Sequence, residues 1–225
     1  HGGAGKANRV LIEDLAARGH DCHVVAPLTG ELGRTTVAQL LRELADRGTH
    51  PESVTADMVV LRSKGVRVHL VIDPSALAAR TRRIARELQP DWTLVPSDDP
   101  GLLMLGVATG VTPGRVVYLA HTLQQLPFGP SAFYPSRTGT RLVRQAAGVM
   151  AVSKATQRHL RTWGGVDSVL LYPHVYGPGP FPQAAGDAVT MINPCGYKGI
   201  SIFLALADGL PEVPFLAVRT WGTPE

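Results

Sequence analysis

The sequence predicts an α/β fold: a doubly wound parallel sheet that takes up most of the chain, then the opening of a second, incomplete α/β unit. Three observations carry this prediction. Short apolar, β-branched runs alternate with longer amphipathic stretches, the pattern of buried strands joined by helices. One stretch, Ala147 to Gly177, shows a whole strand–helix–strand unit with its caps. A Pro/Gly-rich segment, GPGPFPQAAG from Gly177 to Gly186, then separates this pattern from a further strand–helix–strand run.

Within the clearest stretch, Gly148–Val152 is short, apolar and β-branched, as a buried parallel strand requires. Ser153 is placed to accept a hydrogen bond from a free N–H of the next turn, so it predicts an N-cap. A helix is expected from Lys154 to Trp163, closed by Gly164-Gly165. Ser168–Tyr172 predicts the next strand, stopped by Pro173. Two strands joined by one helix are parallel, with a right-handed crossover.

At the start of the chain, His1-Gly2-Gly3-Ala4-Gly5 predicts a glycine-rich turn leading into a helix from about Lys6 to Arg18. In a doubly wound fold such a turn leaves the carboxyl end of a strand. A first strand is therefore expected ahead of His1. Cys22–Ala26 is a strand, and Thr36-x-x-Gln39 is a capping box for a helix ending at Gly48. Met58–Leu61 and Val66–Ile72, with Ser63-Lys64-Gly65 between them, predict a hairpin or edge pair. Pro74 to Leu88 is a helix whose Arg80, Arg82, Arg83 and Arg86 form a solvated face. Trp92–Val95 and Arg115–Ala120 are strands around a helix near Leu102 to Thr109. Thr122 to Pro135 is expected to be a long loop, and a helix from about Ser136 to Gln145 leads to the stretch above. In the second unit, Val189–Asn193 and Val213–Val218 are strands and Lys198 to Asp208 a helix. The domain expectation is thus residues 1–176, a linker at 177–187, and the start of another domain at 188–225. One strand–helix–strand unit cannot bury both faces of its sheet.

Composition narrows the function. With 225 residues, 44% of them hydrophobic, the chain can bury a sizeable core. No apolar run reaches the roughly 18–20 residues that cross a bilayer. Cys22 and Cys195 stand far apart without metal or redox spacing, so they are expected to be free, which fits a cytoplasmic protein. The net charge is +4 and the pI about 9.3. The basic residues lie on helix faces without interleaved aromatics, so no nucleic acid partner is expected. An anionic small molecule, or peripheral association with an anionic membrane, fits better.

In open parallel sheets, ligands bind beyond the carboxyl ends of the strands. The predicted strands place Asp98, His121, Ser153, His174 and Asn193 just past those ends. Gly2, Gly3 and Gly5 could bring free N–H groups to a phosphate at a helix start, or could simply form a tight turn. Asp98 and Asp99 adjoin in a turn, where helix capping is the expected role rather than acid–base catalysis. His174 at the hinge is expected to be structural. His121 could orient a hydroxyl, donating from one ring nitrogen and accepting at the other, or could merely cap its strand. No strand–GxGxxG–helix with a following acid is present, which counts against an NAD enzyme.

Four stretches, in this order, resemble glycosyltransferase family 4, which has the GT-B fold. They are HGGAG…LAARGHDCHVVAP, RVVYLAHTL, the AVS–helix–Gly-Gly–strand–Pro unit, and MINPCGYKGI. The resemblance covers nearly the whole chain and is weakest between Leu28 and Pro74. It implies a Rossmann-like GT-B N-terminal domain on the acceptor side and the opening of a nucleotide-sugar-binding domain. It implies a retaining glycosyltransferase that moves a sugar from a nucleotide-diphosphate-sugar donor to an unknown acceptor, with no metal and no other cofactor. His121 would be the catalytic residue, positioned beside the donor sugar. Gly2, Gly3, Lys198 and Asn193 would lie at the donor phosphates, and Asp98, Thr122 and Ser153 on the acceptor side. Two departures stand out. Asn193 occupies a place where the family commonly has an arginine, and His121-Thr122-Leu123 lacks the acidic neighbour of a His-Asp-Leu-like motif. No match to the family's acidic donor-sugar motif occurs before Glu225, so residues 1–225 alone are expected to be inactive. A non-catalytic binding module, or a sugar-nucleotide epimerase or hydrolase of the same fold, is the alternative.

Overall fold

The order of strands and helices follows from where apolar runs, caps and left-handed residues fall. The computed structural model describes residues 3–28, 35–173, 180, 183 and 186–220. Gly2 and His174 lie outside the described residues. The chain divides into two units, His1–Gly177 and Pro178–Glu225.

The first unit opens with helix α1, Gly3–Ala17, so Gly3, Ala4 and Gly5 form its first turn rather than a loop before it. Strand β1, His23–Pro27, follows, and helix α2, Val37–Asp46, starts at the expected capping box. Gln39 N–H donates to Thr36 Oγ1 at 3.2 Å, and Thr36 N–H donates back to Gln39 Oε1 at 2.9 Å. A short strand that the sequence reading missed, β2 at Ser53–Val54, leads into β3, Met58–Ser63, and β4, Val66–Val71. Two residues give β2 no hydrophobic period to detect. The β3–β4 hairpin turns on Lys64 and Gly65, with φ of 45° and 81°. Positive φ at both central residues is the turn whose twist matches paired strands.

Asp73 caps a 3-10 turn, Pro74–Ala76, ahead of helix α3, Leu77–Leu88. Strand β5, Thr93–Pro96, is followed by a 3-10 turn and helix α4, Leu103–Val111. Strand β6 is Val116–Ala120, helix α5 Arg137–Gln145 and strand β7 Gly148–Ala151. Ser153 caps helix α6, Lys154–His159, as its sequence position predicts; Thr156 N–H donates to Ser153 Oγ at 3.1 Å. The last turn of this helix, Leu160–Gly164, widens to a π-helix, and Gly165 at φ 61° ends it. Strand β8, Val169–Leu170, is shorter than the predicted Ser168–Tyr172, because only these two residues pair with β7.

These strands form two four-stranded sheets, ordered β1-β4-β3-β2 and β5-β6-β7-β8. The second is wholly parallel. The first is parallel between β1 and β4 and antiparallel beyond. Among the described residues β1 and β5 pair on one side only. The main core lies under α4 and α5, where Leu105, Tyr118, Ala120, Val143, Ala151 and Leu160 are almost completely buried. The segment read as a long loop is pinned to this core. Leu126, Pro127 and Phe128 are buried, and Leu123–Gln125 form a 3-10 turn. Its apolar residues sit in a Pro- and Gln-rich context that shows no period. Gly139 on α5 meets this segment closely: a Cβ there would lie 2.7 Å from Leu102 Cδ1 and 2.9 Å from Pro127 Cβ.

A histidine pair joins β1 to β4. His23 Nδ1 lies 3.0 Å from His69 Nε2 with the rings stacked, and Asp21 Oδ1 lies 3.4 Å from His23 Nε2. His69 is buried and its Nδ1 has no partner among the described residues. Burial lowers the pKa of His69, the His23 and Arg67 charges lower it further, and Glu52 and Glu87 oppose them weakly. The unfolded chain, with a histidine near 6.5, therefore binds more protons in mild acid than the folded one. Stability is full above that pH and is lost as pH falls below it. We expect the melting temperature to drop below about pH 6.5 and His69→Gln to flatten part of the drop. An unchanged pH slope in the variant would show that burial of His69 does not set the slope.

The second unit holds β9, Val189–Ile192, a 3-10 turn at Gly196–Lys198, helix α7, Ile200–Gly209, and β10, Phe215–Val218. β9 and β10 are parallel, and Phe203 packs edge-on against Phe215. Asn193, read as the end of the strand, instead follows it at φ 61°, a conformation asparagine tolerates. The helix expected from Lys198 starts at Ile200, because Gly199 at φ 82° separates it from the 3-10 turn.

Candidate functional site

The parallel sheet β5-β6-β7-β8 delivers four chain ends to one edge, and the first two build a polar cluster. Ser97 follows β5 and is fully buried; its N–H donates to Leu119 O at 2.9 Å. Its hydroxyl accepts the backbone N–H of His121 at 3.0 Å, which locks the exit of β6 to the exit of β5. Tyr118 and Ala120 face the core under α4 and α5. By strand alternation Leu119 and His121 face the other side. There His121 Nε2 meets Asn8 Oδ1 of α1 at 2.7 Å. Helix α1 and the end of β6 are thus held together by one side-chain pair, between residues 113 positions apart.

An acceptor at Nε2 fixes the tautomer of a neutral imidazole: Nε2 carries the proton and Nδ1 keeps its lone pair. Burial lowers the pKa of His121, only partly opposed by the negative charge of Asp98, so the ring is held neutral. The group this arrangement offers is an uncharged acceptor, Nδ1, aimed from a ring that cannot swing freely.

Beside it, Gln125 gathers the remaining polar groups. With its amide oriented to match donors with acceptors, Nε2 lies 2.7 Å from Asp98 Oδ1, 2.7 Å from Thr122 Oγ1 and 3.1 Å from Ser97 O. Asp98, Thr122 and His121 are therefore brought to one place. Asp98 and Thr122 are exposed while His121 is half-buried, so the cluster opens to solvent. Asp99, the neighbour of Asp98, turns inward and caps α4: Oδ2 accepts from Met104 N–H at 2.7 Å and Leu105 N–H at 3.1 Å. Burial raises its pKa and these N–H groups oppose the rise. The capping role expected for the pair thus belongs to Asp99. Behind the cluster the Tyr118 hydroxyl is buried and has no partner among the described residues; burial raises its pKa strongly.

Ser153 stands past the end of β7, the strand next to β6, with its hydroxyl engaged as the cap of α6. Gly3 opens α1, five residues before Asn8, about 7.5 Å along the helix axis. Its first turn carries no acidic side chain. Lys198 and Asn193 belong to the second unit. Lys198 is exposed, and its backbone N–H donates to Cys195 O at 3.0 Å. Asn193 is buried, with its N–H on Val218 O at 2.9 Å. Asn8 and Gln125 were not singled out by sequence reasoning. Asn8 sits inside an amphipathic helix and Gln125 inside a Pro-rich segment, and nothing local marks either. Among the described residues no group of three or more His, Cys, Asp or Glu is placed to hold a metal ion, and no helix is long and apolar enough to cross a membrane.

A family model described as Glycosyltransferase Family 4 matches residues 1–176. The chain belongs to glycosyltransferase family 4. The match spans the whole of the first unit up to its penultimate residue, and so includes every member of the Asn8–His121–Gln125–Asp98 cluster. The parallel sheet flanked by helices is that of a Rossmann-like GT-B N-terminal domain. No curated protein and no solved structure matches this family 4 chain.

Proposed function

We propose that the intact protein is a retaining glycosyltransferase of the cytoplasm. It moves a sugar from a nucleotide-diphosphate-sugar donor to an acceptor, without a required metal. Family membership supports the transferase class. The observation that carries the role of the site is the Asn8–His121 pair at the carboxyl edge of the parallel sheet. It presents an oriented, neutral imidazole nitrogen where a doubly wound fold binds its ligands.

In this reading His121 positions a sugar hydroxyl and favours the transition state, rather than taking a proton in full. Asp98 and Thr122 contact the acceptor. The first turn of α1, which Gly3 opens, offers free N–H groups and a favourable dipole to an anion within the first unit. Lys198 adds a cation to the diphosphate. Asn193 supplies no charge, so the diphosphate is held by one cation fewer than the family commonly uses. We expect Lys198→Ala to weaken nucleotide-diphosphate binding by about 1.5–3 kcal/mol, the range for a hydrogen bond to a charged group. Unchanged binding in calorimetry would remove Lys198 from the site.

The missing cation at position 193 also supports a second reading, a binding module that holds a sugar nucleotide without turning it over. Calorimetric titration of the intact protein with UDP, GDP and NAD, followed by a turnover assay with the sugar nucleotide that binds, separates the two. Nucleotide-diphosphate binding with transfer supports the transferase. Binding without turnover supports the module, and preference for NAD would refute both.

A further inference from the structure

A second surface of the first unit is set apart by its charge. From residue 100 to residue 166 the chain carries seven Lys or Arg and no Asp or Glu. All seven are exposed. Three of them, Arg137, Arg141 and Arg144, follow one another at four- and three-residue spacing along α5, so they form a single stripe. The opposite face of the helix is held in the core by Gly139 and Val143. Among the described residues none of the three pairs with a carboxylate. Arg141 reaches Thr138 Oγ1 at 3.4 Å and Arg144 donates to Gly164 O at 2.6 Å. Together with Thr140 they line a shallow, open depression. Helix α3 is the useful contrast. Its arginines are as dense, but Arg83 meets Glu87 and Arg80 meets Asp57, so its charge is partly compensated.

Large apolar side chains lie around the stripe. Phe133 and Tyr134, 52% and 63% exposed, come just before the Ser136 cap of α5. Trp163, 53% exposed, is next to the Gly164 carbonyl that Arg144 holds. The segment carrying Phe133 also approaches Trp163, since a Cβ on Gly129 would lie 3.1 Å from the indole. Leu103, 59% exposed, starts α4, which packs against α5. Uncompensated arginines bordered by exposed aromatics match the boundary between lipid headgroups and acyl chains, where guanidinium meets phosphate and amphipathic rings are at home. A single strand of nucleic acid would need a groove for its backbone, and this stripe runs along the outer face of a helix.

We propose that the α5 face docks the protein on an anionic membrane surface, with Arg137, Arg141 and Arg144 at the lipid phosphates and Trp163 and Tyr134 at the headgroup boundary. The inference is independent of the transferase reading, because it uses no residue of the His121 cluster. The test is co-sedimentation of the intact protein with vesicles of equimolar phosphatidylcholine and phosphatidylglycerol, and with pure phosphatidylcholine. Binding is expected only to the anionic vesicles. It should be lost in about 1 M NaCl, where the Debye length is roughly 3 Å. The variant Arg137→Gln with Arg141→Gln, which spares the Arg144 bond to the backbone, should bind roughly 25-fold more weakly at about fivefold per arginine. Its thermal melt should stay unchanged. Trp163→Ala should weaken binding without changing its salt dependence. Failure to bind anionic vesicles, equal binding by the double variant, or tighter binding to an oligonucleotide than to the vesicles would each overturn the proposal.

Discussion

Replacing His121 by alanine in the intact enzyme is expected to lower turnover roughly tenfold or more while leaving nucleotide binding nearly unchanged. A tenfold loss is about 1.4 kcal/mol of transition-state stabilisation, the size of one hydrogen bond that improves as the reaction proceeds. The geometry argues for a loss in turnover rather than in binding. Nε2 is occupied by Asn8 Oδ1 at 2.7 Å, so the ring is oriented before any ligand arrives, and in the proposed reaction Nδ1 is the ring nitrogen left for the substrate. Burial lowers the pKa of the ring, so an acceptor nitrogen is present at neutral pH without proton uptake. Asn8→Ala frees the ring and should produce part of the same loss, together with a shift in the acid limb of the pH–rate profile. If turnover is unchanged in a folded His121→Ala enzyme, the histidine is only a link between α1 and β6. If nucleotide binding falls as much as turnover, its role is structural.

Enlarging Gly139 is expected to have the largest effect on stability. Two terms compete. Alanine improves helix propensity over glycine by about 1 kcal/mol, but overpacking a filled core costs about 1–3 kcal/mol. At Gly139 the second term wins. The new Cβ would lie 2.7 Å from Leu102 Cδ1, 2.9 Å from Pro127 Cβ and 3.3 Å from Ser136 Cβ. None of the three can retreat easily. Leu102 is 3% exposed and sits at φ 58°, Pro127 is buried, and Ser136 caps the helix. Gly139→Ala should therefore destabilise by roughly 1 kcal/mol net and Gly139→Val by about 3 kcal/mol or more. For a unit of this size the second change lowers the melting temperature by about 6–12 °C. A melt at or above the wild-type temperature for Gly139→Ala would mean that the Leu102–Pro127 layer relaxes freely.

Gly139 also shows where sequence reasoning stops. Glycine inside a helix reads as a weak spot, and only the structure reveals the proline and leucine pressed against it. Strands with an apolar run and a cap on either side, such as Val116–Ala120 and Gly148–Ala151, were legible almost to the residue, as was the Thr36–Gln39 box. Their signals are local. The same logic placed His121 at a strand end, which was enough to single it out. Its partner Asn8 lies 113 residues away, and the Gln125 bridge depends on the fold of a segment without period. Long-range polar pairs leave no mark on a single sequence, so half of the cluster was not visible there. The His23–His69 pair escaped for the same reason. His69 alternates with valine and leucine as an outward residue would, yet it is buried by contact with another strand.

The turn at Lys64-Gly65 bears on the order in which the chain folds. β2, β3 and β4 form a meander over two short connections, whereas every parallel pair must first bring together residues separated by a whole crossover. Loop closure is fastest for near neighbours, and a hairpin forms in about 1–10 μs. The meander is therefore expected to assemble before either sheet is complete and to present one open edge on β4. β1 lies about forty residues earlier, beyond α2, and its docking on that edge is the slower, non-local event that completes the first sheet. The antiparallel half would then act as the seed of the first sheet and the parallel half as the growth upon it.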